Sequence, residues 1–420
     1  MNIIKILWAL ITAIMLLLSI YFTFKLDFVQ FKFANYFKSF SKSSDSAGIS
    51  PFKTLMLTLA GRIGVGSVAG MALAIYLGGA GSIFWMWIIS ILSLPIAYLE
   101  TYYGSFYKEK VKNEYVGGPS FYILKGLGKI KLSKLYAFLI FLSFIIGFLG
   151  IQVNTIAKSI NLVFSSPKVL IGLIIAFLTL IVVIGDVFSI SKATAKIVPF
   201  MLFFYLIIST YILFINNDKI FDIIKLILTD AFNIKPFFSS FLYTLIIGVQ
   251  RGIFSSEVGL GTGSITASAS NSKSPESDGY LQMIGVSVTT LVICTITAFL
   301  ILLSPYKSIY INDANGIEIA FFAFSYHFKN LGGIFLLLFI FLCSFSTILT
   351  GYYDSLVSLK FLNIGKSYQQ KVFLIIITII MIVISSIISS SLMWYLVDLS
   401  TAILMFVNLY SLYCLEKKDK

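Results

Sequence analysis

Two glycine-rich stretches, each set inside apolar sequence, are where this chain has the means to do chemistry. The first reads GRIGVGSVAG from Gly61 to Gly70, and the second reads GVQRGIFSSEVGLGTG from Gly248 to Gly263. A glycine lowers helix stability by roughly 1 kcal/mol relative to alanine, so the four glycines of the first stretch oppose a continuous helix. Backbone that unwinds there offers carbonyl oxygens to a cation and N–H groups to a carboxylate. The competing reading is close helix packing over small residues. Recurrence of the same anomaly at matching places in the two halves of the chain favours a site.

Arginine use points to the same stretches. The chain holds 29 Lys and two Arg, and those two, Arg62 and Arg251, both lie inside the breaks. An arginine at the centre of a membrane helix costs about 2.5 to 3.5 kcal/mol on insertion scales, so it faces water or an acid. Its planar fork grips a carboxylate or several carbonyls better than an ammonium does. Two roles are open for this pair: structural or gating charges partnered by Glu257 and Asp398, or direct contact with a substrate.

Few other polar side chains stand within apolar runs. Gln152 and Asn154 occupy one of them, and Ser344, Ser346 and Thr347 form a hydroxyl cluster in CSFST. Such hydroxyls either complete an oxygen cage for sodium, a hard ion, or bond carbonyls of their own helix. With a single histidine, His327, and with Cys294, Cys343 and Cys414 widely spaced, no metal cluster is expected. Enzymatic chemistry would need a nucleophile with a base, or paired carboxylates in a cleft, and the sequence offers neither. No cofactor is expected beyond a coupling ion.

The elements that must position these residues are membrane helices. The chain is 58% apolar and 12% charged with mean hydropathy +0.96, which no water-soluble surface accommodates. The net charge of +13 is Lys distributed about a membrane, and no nucleic-acid partner is expected. Eleven apolar runs lie near 3–24, 51–78, 82–107, 133–157, 168–185, 193–215, 236–262, 279–304, 331–359, 370–388 and 391–414. The first has no small-residue cleavage site after it and reads as a retained helix. Amphipathic stretches at 219–232 and 316–327 are expected to lie at the interface. Alternate loops divide the lysines 21 to 8, which places the amino terminus outside and the carboxyl terminus in the cytoplasm.

With the first helix and its linker (1–50) set aside, five runs at 51–216 are followed by a linker at 217–235. Five more runs occupy 236–414, ahead of a short tail (415–420). Five is odd, so the second set is inverted relative to the first. Each set opens with a Pro-started, Gly-broken helix, at Pro51 and Pro236. That is the sequence signature of an inverted-repeat transporter with its site at the two breaks.

At these segments the chain resembles the alanine or glycine:cation symporter family. The resemblance is carried by GVGSVAGMALAIYLGGAGSIFWMWI from Gly64, GGPSFYI from Gly117, QVNTIA from Gln152 and KIVPFMLFFY from Lys196. It continues through GVQRGIFSSEVGLGTG from Gly248, FSTILTGYYDS from Phe345 and the stretch from Asp398 to Asn408. It implies an all-α polytopic membrane protein of about eleven transmembrane helices, with a LeuT-type 5+5 inverted repeat, one extra N-terminal helix and two broken helices. It also implies Na+-coupled import of a small neutral amino acid, alanine or glycine, through a plasma or inner membrane, with a bacterial source expected. By position, substrate would meet Gly64, Gly66, Ser67, Gln152, Asn154, Gly248, Arg251 and Phe254. Na+ would meet Ala60, Ile63, Ser346 and Thr347. Ser67 stands where the family pattern has Asn, Arg62 where many members carry a neutral residue, and Val407 where Pro is expected. A guanidinium at Arg62 could take the cation's place and make the protein a sodium-independent exchanger or facilitator. A non-transporting sensor or channel is the reading from a different class, although no charged rings or repeated pore segments support a channel.

Overall fold

The computed structural model of the protein describes residues 2–40, 47–185, 187–233, 238–308, 316–363 and 367–418. Backbone in lipid must satisfy its own hydrogen bonds, and helices do so locally. Helix α1 spans Asn2–Lys25 and a short α2 spans Phe33–Lys38. The first glycine-rich segment divides α3 (Pro51–Arg62) from α4 (Ala69–Gly78), and α5 (Gly81–Leu92) bends by 42° into α6 (Leu94–Phe106). A hairpin of β1 (Glu109–Val111) and β2 (Glu114–Val116) leads to α7 (Pro119–Lys125). Helices α8 (Ile130–Ser143) and α9 (Leu149–Phe164) are joined by a π-helical turn and followed by α10 (Lys168–Val183), α11 (Val187–Ile215) and α12 (Asn217–Ala231).

The second glycine-rich segment divides α13 (Phe238–Ser256) from α14 (Thr262–Ser268). A π-helical stretch joins α15 (Pro275–Val286) to α16 (Thr295–Leu302). The remaining helices are α17 (Gly316–Phe328), α18 (Asn330–Leu362), α19 (Ser367–Ile387) and α20 (Ser390–Lys418). Among the described residues the fold is all-α apart from the hairpin. Its strands, three residues each, are too short to leave an alternation in the sequence.

Among the described residues, seven helical segments are long and apolar enough to cross a membrane, or eight if the bent α5–α6 pair counts as one. This is fewer than the eleven runs read from hydropathy. The first break splits one run into two short helices, the second leaves the 19-residue α13 with Gln250 and Arg251 that lower its hydropathy, and α10, with 16 residues, reaches only about 24 Å at 1.5 Å per residue. The amphipathic stretches form helices: α12 buries Ile223, Ile227 and Ala231 along one face and packs on α5, and α17 packs on α18 and α4. Pro236, and Lys42, Lys235, Lys366 and Lys420 of the charge count, lie outside the described residues.

The breaks have distinct causes. Ser50 caps α3 by accepting from the Lys53 N–H, and Pro51 follows it at the first helical position. The helix stops when the Gly64 N–H turns back to the Arg62 carbonyl at 3.1 Å and the Val65 N–H goes to Gln152 Oε1 at 3.1 Å. The second break turns on left-handed backbone at Glu257 (φ 57°), Gly259 (φ 83°) and Gly261 (φ 85°). The two broken helices run in opposite directions. Ile49, just before α3, donates to the Ala269 carbonyl at 2.9 Å and accepts from Asn271 at 2.8 Å, just after α14.

Gly261 shows how tightly the second turn is held, because a Cβ there would lie 2.4 Å from Pro119 Cγ and 2.5 Å from Tyr136 Oη. Gly128 also has positive φ (71°) but faces nothing within 4 Å. Gly128→Ala is expected to lower stability by about 1 kcal/mol from backbone strain. Gly261→Ala is expected to lower it by more than about 2 kcal/mol through added overpacking. Thermal melts in detergent check the difference.

Candidate substrate and cation site

The first break leaves an oxygen-rich cluster. In an unbroken helix the Ala60 and Gly61 carbonyls would accept from the N–H groups of Gly64 and Val65, four residues on. Those donors have gone elsewhere, so both carbonyls are free for other partners. Thr347 Oγ1 lies 2.9 Å from the Ala60 carbonyl oxygen, 3.3 Å from that of Gly61 and 2.9 Å from that of Cys343. Ser346 Oγ lies 3.4 Å from the Ala60 oxygen and 2.9 Å from the Cys343 oxygen. A hydroxyl donates one proton at a time, so two hydroxyls satisfy only two of these contacts at once. The surplus of lone pairs over protons suits a hard monovalent cation. Ile63 is buried beside the cluster as the residue that ends α3.

Gly64 and Gly66 bring the substrate side close. A Cβ on Gly64 would lie 2.7 Å from Thr347 Oγ1 and 3.0 Å from Gln152 Nε2, and one on Gly66 would lie 2.9 Å from the Phe254 ring. Ser67 Oγ is 3.1 Å from Ser255 Oγ, which joins the two breaks directly. Phe254 stacks at 6.0 Å on Phe148 and meets Trp394 edge-on at 5.4 Å. The structure therefore gathers Ala60, Gly64, Gly66, Ser67, Gln152, Phe254, Ser346 and Thr347. It does not bring Asn154 or Gly248 to them. Asn154 Nδ2 donates to the Ser385 and Ile388 carbonyls, and its Oδ1 accepts from Ser390, between α19 and α20. Gly248 packs on α5, where a Cβ would lie 2.3 Å from the Ser82 carbonyl oxygen.

The arginines take separate places. Arg251 forks onto Asp398, with Nη1 to Oδ1 at 3.1 Å and Nη2 to Oδ2 at 2.8 Å, and lies 4.6 Å above the Trp394 ring. This pair holds Trp394 against Phe254. Arg62 donates to the Gln282 carbonyl at 3.0 Å and interacts electrostatically with Glu100 and Glu257. Gly263 and Gly285 make room for it, since a Cβ on either would lie 2.6 Å or 2.7 Å from its terminal nitrogens. Thr262 donates to Glu257 Oε2 at 2.8 Å.

Four residues outside the sequence-level set pin the second break. Glu100 Oε2 accepts from the Gly259 N–H at 3.2 Å and from Asn408 Nδ2 at 3.2 Å, and Asn408 also donates to the Gly259 carbonyl. The Tyr122 hydroxyl donates to Asn408 Oδ1, and the Tyr136 hydroxyl donates to the Leu260 carbonyl. Glu100, at the heart of this knot, sits inside an apolar run, and an acid in that setting is the signal that could have found it.

Two antiparallel broken helices meeting over a hydroxyl-bearing helix is an arrangement for holding small solutes. A profile of the sodium:alanine symporter family matches residues 1–419. The chain belongs to this family. It is a multi-pass membrane transporter, not an enzyme. Relatives include the probable sodium/glutamine symporter GlnT of Bacillus subtilis, 33% identical over 98% of this chain and 86% of that protein. The amino-acid carrier protein AlsT of the same organism is 30% identical over 96% of this chain and 86% of that protein. The sodium/alanine symporter AgcS of Methanococcus maripaludis is 35% identical over 69% of this chain and 66% of that protein.

In this symporter-family chain the Arg251–Asp398 pair is 4% and 8% exposed, so removing one partner strands a buried charge. Arg251→Met or Asp398→Leu alone is expected to lower stability by about 3 to 5 kcal/mol. The double variant is expected to lose less than either single one. Melting curves of the four proteins check this.

Proposed function

We propose that the protein imports a small neutral amino acid, alanine or glycine, together with Na+ by alternating access. The observation that carries this reading is the oxygen cluster at the first break. The Ala60 and Gly61 carbonyls, stripped of their helical donors, face Thr347 and Ser346 with too few protons to satisfy every oxygen. Na+ at Ala60, Ile63, Ser346 and Thr347 satisfies them. It also ties α3 to α18, so ion occupancy favours one arrangement of these helices over another. Substrate sits beside the ion against Gly64, Gly66, Ser67, Gln152 and Phe254. Its carboxylate meets free backbone N–H groups, and its side chain is limited by the narrow gap between Gly66 and Phe254. The resident chemistry is that of binding alone, with Na+ as coupling ion and no cofactor.

The architecture belonging to this reading is the LeuT-type inverted repeat, with five spans in 51–216, five in 236–414 and α1 added outside them. It is supported by eleven apolar runs and by two broken helices that run antiparallel, with Thr58 against Thr266 and Arg62 against Gly263. The lysine distribution supports an external amino terminus and a cytoplasmic carboxyl terminus. A sodium-independent exchanger with Arg62 in the cation's place is disfavoured by one observation. The Arg62 guanidinium lies against Gln282, Gly263 and Gly285 on α14 and α15, whereas the Ala60 and Gly61 carbonyls face Ser346 and Thr347 on α18.

Uptake of labelled alanine or glycine into proteoliposomes is expected to require an inward Na+ gradient. Thr347→Ala is expected to raise the Na+ concentration for half-maximal uptake about tenfold or more, a loss of at least about 1.4 kcal/mol in ion binding. Ser159→Ala, which removes a hydroxyl bonded within its own helix α9, is expected to leave that value unchanged. Sodium-independent uptake by the unaltered protein would overturn the symport reading. Binding of substrate without flux would favour a sensor.

A further inference from the structure

One turn beyond the oxygen cluster lies a cavity of ≈ 30 Å³ with an apolar wall that includes Phe144 and Phe148, into which Ser143, Glu257, Thr262, Thr347, Thr350 and Asp354 bring polar groups. Thr347, Thr350 and Asp354 are spaced three and four apart, so α18 presents a single face of oxygens leading from the cluster to the Asp354 carboxylate. Asp354 is 5% exposed, and its Oδ1 has no hydrogen-bond partner. Glu257 is 8% exposed, holds one bond from Thr262, and stands in a left-handed backbone conformation (φ 57°) that a non-glycine residue adopts at a steric cost. A Cβ on Gly61 would lie 3.6 Å from Glu257 Oε2 and 3.2 Å from the Thr350 methyl, so the α3 end, the second break and α18 converge at this point.

Charge is out of balance here. Among the described residues neither Glu257 nor Asp354 forms a salt bridge. The charged group that reaches Asp354 is Glu257, of the same sign. Around them α3 contributes Arg62, which also serves Glu100 from α6, while α7 and α8 contribute the neutral phenols Tyr122 and Tyr136. An unpaired ion in such surroundings costs several kcal/mol, and a second carboxylate adds repulsion. A cavity of this volume accepts one water or one bare monovalent cation. Two carboxylates with threonine hydroxyls make a hard oxygen shell.

We propose that Glu257 and Asp354, with Thr262 and Thr350, hold a second monovalent cation, supplied as Na+ or as a proton, next to the Na+ cluster at Ala60 and Thr347. This rests on the ion-coupled reading above and adds a charge to its stoichiometry. The backbone strain at Glu257 is then part of the site, since it turns the carboxylate from the second break toward α18.

The test uses the purified full chain in detergent. It measures saturation binding of radiolabelled Na+ and, with a pH-indicator dye, proton exchange when alanine and Na+ are added. Both are compared in wild type, Asp354→Asn, Glu257→Gln and Thr347→Ala, all checked for monodispersity. If the second ion is Na+, Asp354→Asn and Glu257→Gln are expected to cut bound Na+ by about half, leaving the part that Thr347→Ala removes. If it is a proton, bound Na+ stays constant in Asp354→Asn while the proton signal of wild type disappears. Wild type that binds a single Na+ and exchanges no proton would overturn the proposal, as would carboxylate variants matching wild type in both readouts. Wild type with no Na+ binding at all would instead sink the symport reading, and the Asp354 proton signal would still decide the second site.

Discussion

Backbone N–H and C=O groups exposed by a helix break inside a bilayer find no water, so the protein itself has to supply each partner. The first break places its donors on Gln152 and on its own Arg62 carbonyl, and this leaves the Ala60 and Gly61 carbonyls facing Ser346 and Thr347. At the second break Glu100, Asn408 and Tyr136 supply the partners, and the chain turns through Glu257, Gly259 and Gly261 to meet them. The same unwinding creates both the need for these partners and the binding groups. The knot of Glu100 and Asn408 fixes the second break, and at the first break carbonyls outnumber the hydroxyl protons offered to them.

The two arginines illustrate different solutions to one electrostatic problem. Arg251 is neutralised by a bidentate carboxylate and an aromatic face, a closed arrangement that carries Trp394 with it. Arg62 shares itself between Glu100 and Glu257 and bonds a single carbonyl, with Nε and Nη2 left unpartnered. Lysine could not substitute at either place: the first needs a fork, and the second needs a flat cation slotted between two glycines. This accounts for the concentration of guanidinium at the breaks in a lysine-rich chain.

Much of this was legible in the sequence because glycine clusters, rare arginines and long apolar runs are local signals. The break positions follow from them, whereas the grouping of Gly64, Gly66 and Ser67 with Phe254 and of Ser346 and Thr347 with Ala60 is what the family resemblance implies. What was not legible depends on rotation and partner choice. Asn154, two residues from Gln152, projects from a different side of α9 and serves the α19–α20 connection, and Gly248 is a packing glycine against α5. Glu100, Asn408 and Tyr122 act through contacts across hundreds of residues, which no local pattern encodes. Hydropathy counted whole spans where two runs are broken, one is bent and α10 is short, so among the described residues eleven runs correspond to seven or eight crossings by length and composition.

A cryo-EM difference map between the protein with alanine and Na+ and the protein without them tests the central claim most directly. The account predicts new density between Val65–Ser67 and Phe254, with a separate feature beside the Ala60 carbonyl and Thr347 Oγ1. Density confined elsewhere, for example near Asp230 and Lys307 on the other end of α4, with the two breaks unchanged, would contradict it.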